Sequence, residues 1–427
     1  MSRAPLRVAV LGAGTVGREV VRGLLAGGDR LCATDGAPLV LTGVACRDLD
    51  RARRAGIPGE LLTDAPAQLV AAPDTDVVVE LLGGDEPART LIAAALGAGK
   101  PVVTANKHVV AHHGPDLEAL ARRANAPFRF EAAVAGGIPI LGPLASDLAA
   151  NDVSRVRGIV NGTTNYILSA MARDGRPYEE VLADAQALGY AEADPAGDVE
   201  GDDAINKLVI LARLAFGRWL APGTVGRRPP TLRGRGAPGI VGVTDAELRA
   251  AAARGLTIKL LAAANRRDRT IPAAVLPTAV PIDGPFGRTD GVTNRIEIDA
   301  EPLGTIALSG PGAGGAATSS AVLGDLVAVA RGQASTWAGL AAATDAADAA
   351  ADPLDEPRAW FAFVPTADRV SSATASGATA AEPGLDLVEL SDGAAIRTEP
   401  LELERARAVI APHVRAGSDV TLYPIDG

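Results

Sequence analysis

LRVAVLGAGTVGREVVRGLL, residues 6–25, decides the fold. Its first six residues are apolar apart from Arg7 and lead directly into a glycine turn, the pattern of a short buried strand. Gly12, Gly14 and Gly17 then fit GxGxxG, with Thr15 and Val16 inside the turn. In such a turn the first glycine permits the sharp bend, and the second lets a pyrophosphate approach the backbone. The third lets helix and strand pack closely. Val16, Val20, Val21, Leu24 and Leu25 follow at helical spacing, so a helix begins at the turn and points its positive end at a phosphate. A nicotinamide nucleotide site is expected there, with a purely structural glycine turn as the alternative.

The neighbouring segments repeat the alternation. LVLTGVACRD, DVVVELLGG, PVVTANK and FRFEAAVAGG read as strands, and ARTLIAAALGAGK and DLEALARRANA read as helices between them. Strands that alternate with helices predict a parallel sheet covered on both faces. Residues 1–134 therefore form one Rossmann-type doubly wound α/β unit. From there to residue 310 longer helices mix with strands, as in YEEVLADAQALG, DDAINKLVILARLAF and the capped TDAELRAAAARG, predicting an α+β region. A second glycine turn opens a helix over residues 311–331, expected to return to the first unit. Residues 332–357 are low in complexity and read as a linker. Residues 358–427 run strand, helix, strand, strand, helix, strand, a small ferredoxin-like module.

Composition narrows the functions. The chain has 427 residues, too many for one ordinary core, with 48% hydrophobic and 22% charged residues. A formal charge of −10 argues against a general nucleic-acid binder, which needs a basic face. The most basic stretch, GRRPPTLRGRG at residues 226–236, also carries proline and glycine and reads as an exposed loop. No apolar run is long enough to span a bilayer, and the first residues do not read as a signal peptide, so a cytoplasmic location is expected. Two cysteines, Cys32 and Cys46, make a disulfide framework or structural zinc site an unlikely design.

Several stretches carry candidate chemistry. At the end of the second strand, Asp48 suits a free ribose 2′-hydroxyl, whereas Arg47, with Arg51 nearby, suits a 2′-phosphate. The arginines tilt the expectation toward NADP(H), with NAD(H) still open and an ordinary exposed face as the bland alternative. Thr104, Asn106 and Lys107 lie beyond the carboxyl end of a strand, the edge where open parallel sheets bind ligands. Glu131 precedes a turn of small residues whose carbonyls suit a hard monovalent cation; a buried capping glutamate fits equally. VNGTTNYIL, residues 160–168, packs short polar side chains into an apolar setting, where Asn161 and Gly162 suit a pocket floor and a threonine suits a helix cap. AEADPAGDVEGDDAINKLVIL, residues 191–211, sets six acids before one lysine, Lys207, and a solvated acidic loop is its plain reading.

Taken in order, GAGTVGREV, ELLGGDEPAR, VVTANK, AAVAGGIPI, VNGTTNYIL, ALGYAEADPAGDVEGDDAINKLVIL and GPGAGGAATSSAVLGD resemble the homoserine dehydrogenase family over about residues 6–331. The resemblance implies NAD(P)-dependent interconversion of L-aspartate 4-semialdehyde and L-homoserine, in threonine, methionine and isoleucine biosynthesis. It also implies a Rossmann domain, a catalytic and dimerisation domain, a homodimer, and often a C-terminal ACT module. By this resemblance Lys207 is the proton donor, Asp203 and Glu192 bind substrate, Asp198 shares their acidic cluster, and Lys107 lies by cofactor and substrate. Gly189, Thr104, Gly312 and Gly314 match cofactor contacts, and Glu131, Val134, Gly136 and Ile138 match a structural Na+ site. An α-ammonium substrate needs carboxylates, and the alkoxide left by hydride arrival needs a positioned ammonium. Asp203 and Lys207, four residues apart, share one helix face.

Two other functions are weighed. An NADP-sensing protein that kept the fold and lost catalysis is disfavoured by intact Lys107, Asp203 and Lys207. A related oxidoreductase for another amino-acid semialdehyde is the enzymatic alternative. The tail lacks the glycine-bearing turn expected of an amino-acid effector site, its counterpart being VPTADRVSS at residues 364–372. Little inhibition by L-threonine is therefore expected, and removal of the tail after Pro357 is expected to leave active dimer.

Overall fold

Val8, Ala9, Val10 and Leu11 are wholly buried because they form the centre of a covered parallel sheet. The computed structural model describes residues 4–31, 36–343, 347–370 and 384–426. Its first sheet contains β1 (Leu6–Leu11), β2 (Leu39–Ala45), β3 (Leu62–Thr63), β4 (Val77–Glu80), β5 (Val102–Thr104) and β6 (Phe128–Arg129). Their order is β3-β2-β1-β4-β5-β6, with β1 parallel to both β2 and β4. The direction of winding reverses between β1 and β4, the switch point where such sheets bind dinucleotides. Connecting helices are α1 (Thr15–Leu31), α2 (Leu49–Arg54), α3 (Pro66–Ala71), α4 (Ala88–Gly97) and α5 (Lys107–Ala124). The reading of the sequence missed β3, whose two residues are too few to show a period.

The chain continues through α6 (Leu141–Ala145), β7 (Asp152–Ile159), α7 (Gly162–Asp174), α8 (Tyr178–Ala187), α9 (Ala196–Val199), α10 (Asp202–Phe216) and α11 (Asp245–Ala252). Thr244 and Glu247 form a complete capping box on α11. The strands β8 (Leu256–Asn265), β9 (Ala273–Pro281), β10 (Thr293–Glu301) and β11 (Gly304–Pro311) join β7 in a second sheet, ordered β11-β10-β7-β8-β9. After α12 (Gly315–Ala330) come β12 (Trp360–Pro365), β13 (Leu385–Leu390), β14 (Gly393–Thr398), α13 (Leu403–Ile410) and β15 (Tyr423–Pro424). This last sheet is antiparallel and ordered β13-β14-β12-β15. The helix expected between β12 and β13 lies outside the described residues, as does Cys32.

Compactness does not follow the linear order. One unit gathers residues 1–156, 206–223 and 298–349; the other gathers 157–205, 224–297 and 350–427. In the first, α12 lays Val322, Leu326, Val329 and Ala330 on Val20, Val21 and Leu24 of α1. A methyl group at Gly23 would meet a Leu323 methyl at 2.7 Å, so an alanine there would require the Leu323 side chain to shift.

In the second unit the C-terminal sheet shares a core with β9: Ala274 and Leu276 pack among Trp360, Ala362, Ile396 and Leu422. Arg157 pairs with Asp426 at 2.6 Å, and Asp426 N donates to Ala279 O. The basic stretch 226–236 is not the exposed loop expected of it. Thr231 is buried and donates to Asp419 at 2.7 Å, and Arg407 donates to the Thr231 and Gly234 carbonyls. Proline and arginine content suggested solvent, and Arg228, Arg233 and Arg235 are exposed, but the turn around Thr231 and Gly234 is met by the C-terminal segment. The shared core weighs against the expectation that removal of the tail leaves active dimer, since Ala274 and Leu276 would lose cover on one side.

Candidate active site

The glycines of the first turn each meet a different constraint. Gly12 has φ +111°, and a Cβ there would lie 2.4 Å from Leu81 O. One on Gly17 would lie 1.9 Å from Gly12 O, whereas Gly14 faces open space. A sharp bend, a close helix–strand approach and an open cradle are what a pyrophosphate-binding turn requires, so the chain fits a dinucleotide here. Gly315 comes within van der Waals range of this turn, a Cβ there lying 3.1 Å from Thr15 Cγ2. Gly136 approaches the carbonyl of Gly312 just as closely, at 2.6 Å for a built Cβ. Thr15, Gly312, Gly314 and the 134–138 turn are thereby brought together.

At the end of β2, Arg47 and Asp48 are both exposed. One Asp48 carboxylate oxygen accepts the Arg51 amide at 2.8 Å and caps α2. Part of its capacity is thus already used locally. At the ends of β4 and β5 the structure adds a residue that the sequence reading passed over. Glu80 is wholly buried and accepts the Thr104 hydroxyl at 2.6 Å and the Leu82 amide at 2.7 Å. Burial pushes its carboxyl above the usual range, against the pull of these bonds. The signal was present in the sequence, an acid closing the apolar run VVVE. Asn106 caps α5, whose first residue is Lys107.

Glu131 acts as a helix cap. Its carboxylate accepts the amides of Ile140, Leu141 and Gly142 at 2.7, 2.9 and 2.7 Å, capping α6. Burial raises its pKa, with Asp325 adding to the rise and the three amides opposing it. The residues Val134, Gly136 and Ile138 follow in a turn where Ala135 and Gly136 take φ +54° and +56°. A cation there would draw on main-chain oxygens, because the carboxylate is committed to α6. Among the described residues no group of three or more His, Cys, Asp or Glu side chains is arranged to hold a metal.

The acidic stretch separates into two kinds of residue. Glu192, Asp194 and Asp202 are exposed; Asp194 accepts the Ala196 amide and Asp202 pairs with Arg227. Asp203 and Lys207 are buried, at 8% and 7% exposure, four residues apart on α10. Every residue after them from Leu208 to Leu214 is buried, the charged Arg213 included. Asn161 Nδ2 donates to Asp198 at 2.7 Å and to Asp203 at 2.8 Å. Its Oδ1 accepts the Thr164 amide at 2.8 Å, which fixes the side-chain amide with its NH2 toward the acids. One amide thus holds two carboxylates side by side and lessens their repulsion. The hydroxyl of Thr163 donates to Tyr190 O, and Gly189 takes φ +76° one residue earlier.

The two lysine-bearing helices are joined at a distance from the lysines. Glu118 of α5 accepts Arg213 of α10 at both oxygens, 2.6 and 2.9 Å, and also Trp219 Nε1 at 2.9 Å. Burial pushes Glu118 up, but the pull of Arg213, Trp219 and Arg122 prevails and holds it below the ordinary carboxylate value.

Comparison with known proteins agrees with this geometry. A family model described as homoserine dehydrogenase matches residues 139–327, and one described as the NAD-binding domain of homoserine dehydrogenase matches residues 12–131. The homoserine dehydrogenase of Mycobacterium tuberculosis is 48% identical over 332 residues, which are 77% of this chain and 73% of that protein. That of Corynebacterium glutamicum is 45% identical over 329 residues, 76% of this chain and 72% of that protein. A crystal structure of a homoserine dehydrogenase from Thiobacillus denitrificans superposes with TM-score 0.85 at 33% identity, covering 100% of this chain and 99% of that one. A hyperthermophilic archaeal homoserine dehydrogenase in complex with NADPH gives TM-score 0.62 at 27% identity, over 76% and 97% of the two chains.

Proposed function

The chain belongs to the homoserine dehydrogenase family, and from that premise we propose how its residues divide the family's oxidoreductase reaction. The reaction is the NAD(P)-dependent interconversion of L-aspartate 4-semialdehyde and L-homoserine. The bound nicotinamide supplies or accepts hydride at the substrate's C4. Lys207 holds the proton that the developing alkoxide takes up, and its buried position strengthens that interaction relative to water. Asp203, one helical turn earlier, orients the lysine and faces substrate. Glu192 and Asp198 provide the negative charge for the α-ammonium group, and Lys107 stands at the entrance of α5 beside cofactor and substrate. Gly12, Gly14, Thr15, Val16, Gly17, Gly189, Gly312 and Gly314 line the cofactor path, with Thr104.

The observation that carries this assignment is the Asn161 amide bridging Asp198 and Asp203 within hydrogen-bonding distance of both. A solvated acidic loop has no need of a buried donor shared between two acids. NADP(H) is proposed as the preferred cofactor, on Arg47 and on the local use of Asp48 as a helix cap. A Na+ ion is proposed at the main-chain oxygens of Glu131, Val134, Gly136 and Ile138. Assembly as a homodimer is proposed from the family. Oxidation of NADPH by the purified protein in the presence of L-aspartate 4-semialdehyde tests the reading; absence of turnover with either NADPH or NADH would sink it.

A further inference from the structure

The inference concerns the buried acid at the ligand edge of the parallel sheet, and it rests on the functional reading above. Glu80 closes β4 with no surface exposed to solvent. A buried carboxylate is costly unless its lone pairs are met. Here the donors are neutral: Thr104 Oγ1 at 2.6 Å, Leu82 N at 2.7 Å and Gly83 N at 3.4 Å. Thr104 Oγ1 accepts in turn from Asn106 N at 2.9 Å. Asn106 Nδ2 donates to Gly84 O at 2.8 Å, and its Oδ1 accepts Val109 N at 3.2 Å as the cap of α5.

These bonds weld two loops, residues 81–84 and 104–107, into one piece. Gly83 and Gly84 take φ +73° and +71°, so the first loop has a backbone path that few residues hold without help. Gly12 packs against the same loop, close enough that a Cβ would strike Leu81 O. The phosphate turn, the 81–84 loop and the start of α5 therefore share one anchor. In a sheet of this order the dinucleotide crosses from the β1–β2 side to the β4–β5 side. Lys107, the residue after the cap, stands on that second side.

We propose that Glu80 is a positioning residue which, through Thr104 and Asn106, holds Lys107 in register with the cofactor turn. A carboxylate suits the task because donors arrive at both of its oxygens. A glutamine still serves if the Thr104 hydroxyl reverses and accepts from the new amide, whereas an alanine releases every donor at once.

The test uses the full-length protein and two readouts. One is NADPH-dependent reduction of L-aspartate 4-semialdehyde; the other is amide hydrogen exchange by mass spectrometry over residues 81–84 and 104–109. For Glu80→Ala the expected loss in kcat is on the order of 10²-fold, the cost of a lysine displaced by about 1 Å. The semialdehyde KM should stay within about threefold, and exchange at both loops should accelerate. Glu80→Gln should keep kcat within roughly tenfold and exchange near that of the unsubstituted protein, because the clamp survives. Unchanged kcat and exchange in Glu80→Ala would overturn the proposal, as would a Glu80→Gln variant impaired as badly as alanine. Exchange needs no turnover, so an inactive unsubstituted protein would defeat the functional reading while the clamp was still tested. Should Glu80→Ala not fold, Glu80→Asp replaces it, its carboxylate one methylene short of the donors: faster exchange at both loops than in Glu80→Gln supports the clamp, and exchange equal to that of the unsubstituted protein overturns it.

Discussion

Replacing Glu118 by glutamine should unfold the first compact unit at a far lower temperature. Its side chain is 1% exposed and that of Arg213 is 0% exposed, so solvent screens neither charge. Oε1 accepts Arg213 Nη2 at 2.6 Å, Arg122 Nε at 2.9 Å and the Ala343 amide at 3.4 Å. Oε2 accepts Arg213 Nε and Trp219 Nε1, both at 2.9 Å. Glutamine can satisfy one of these sets and turns its own hydrogens on the other. It also leaves the Arg213 charge buried without a counter-ion. Removing one partner of such a pair costs about 3–5 kcal/mol. For a unit of this size each kcal/mol lowers the midpoint by about 2–4 °C, giving a fall of roughly 6–20 °C. Tryptophan fluorescence reports it directly, because Trp219 and Trp337 lie in this unit with ring centroids 6.4 Å apart. The apolar double replacement Glu118→Leu with Arg213→Met should recover much of the loss. The carboxyl sits below its ordinary value of 4.5 in the folded protein. Its contribution is therefore complete above that value and disappears as pH falls through the lower folded value, so Glu118→Gln should flatten the acid limb of stability. A midpoint within 2 °C of the unsubstituted protein at neutral pH would refute the reasoning, since ~3 kcal/mol has no room in so small a shift.

Lys207→Ala should lower kcat by a factor on the order of 10² or more with NADPH affinity nearly unchanged, read by steady-state kinetics and cofactor fluorescence; comparable turnover would remove Lys207 from proton transfer. Arg47→Ala should weaken NADPH selectively, because a guanidinium pairs with a 2′-phosphate through two parallel bonds, and equal losses for both cofactors would exclude that role. Asn161→Asp withdraws the donor shared by Asp198 and Asp203 and adds a third negative group. Its kcat/KM should fall by roughly 10²-fold near neutral pH and recover in part toward acid pH; a flat profile would count against the bridge. Truncation after Pro357 should give insoluble protein, because Ala274 and Leu276 lose their apolar cover. In the full-length protein millimolar L-threonine should inhibit little, and a threonine titration of activity checks it.

What could be read from the sequence depended on whether a residue's partners lie nearby in the chain. Gly12, Gly14 and Gly17 were legible because a turn, a cradle and a close packing contact are all specified within six residues. The α10 helix with Asp203 and Lys207 was legible for a similar reason, since helical spacing fixes which side chains share a face. Glu80 was not, because its meaning depends on Thr104 and Asn106, 24 and 26 positions later, meeting it across adjacent strands. Glu118 and Arg213 are 95 positions apart, and as isolated letters each reads as a solvated charge. Residues 226–236 misled for the opposite reason: local composition indicated solvent, while the partners Asp419 and Arg407 lie nearly two hundred residues on. The capping role of Glu131 depends on the amides of Ile140, Leu141 and Gly142, which converge on it from nine to eleven positions further on.

The packing of α12 on α1 bears on how the chain is made. The apolar stripe of α1 leaves the ribosome early, and its cover, Val322, Leu326 and Val329, is translated nearly three hundred residues later. At elongation rates of about 5–20 residues per second that wait is roughly 15–60 s. During it α1 presents Val20, Val21 and Leu24 to whatever is nearby. Chains arrested before residue 315 should accordingly be held by holdase chaperones and be cut readily near α1, and chains arrested well beyond residue 330 should resist. The closing of the nucleotide-binding layer is thus an event of late synthesis, although all six of its strands are written in the first third of the message.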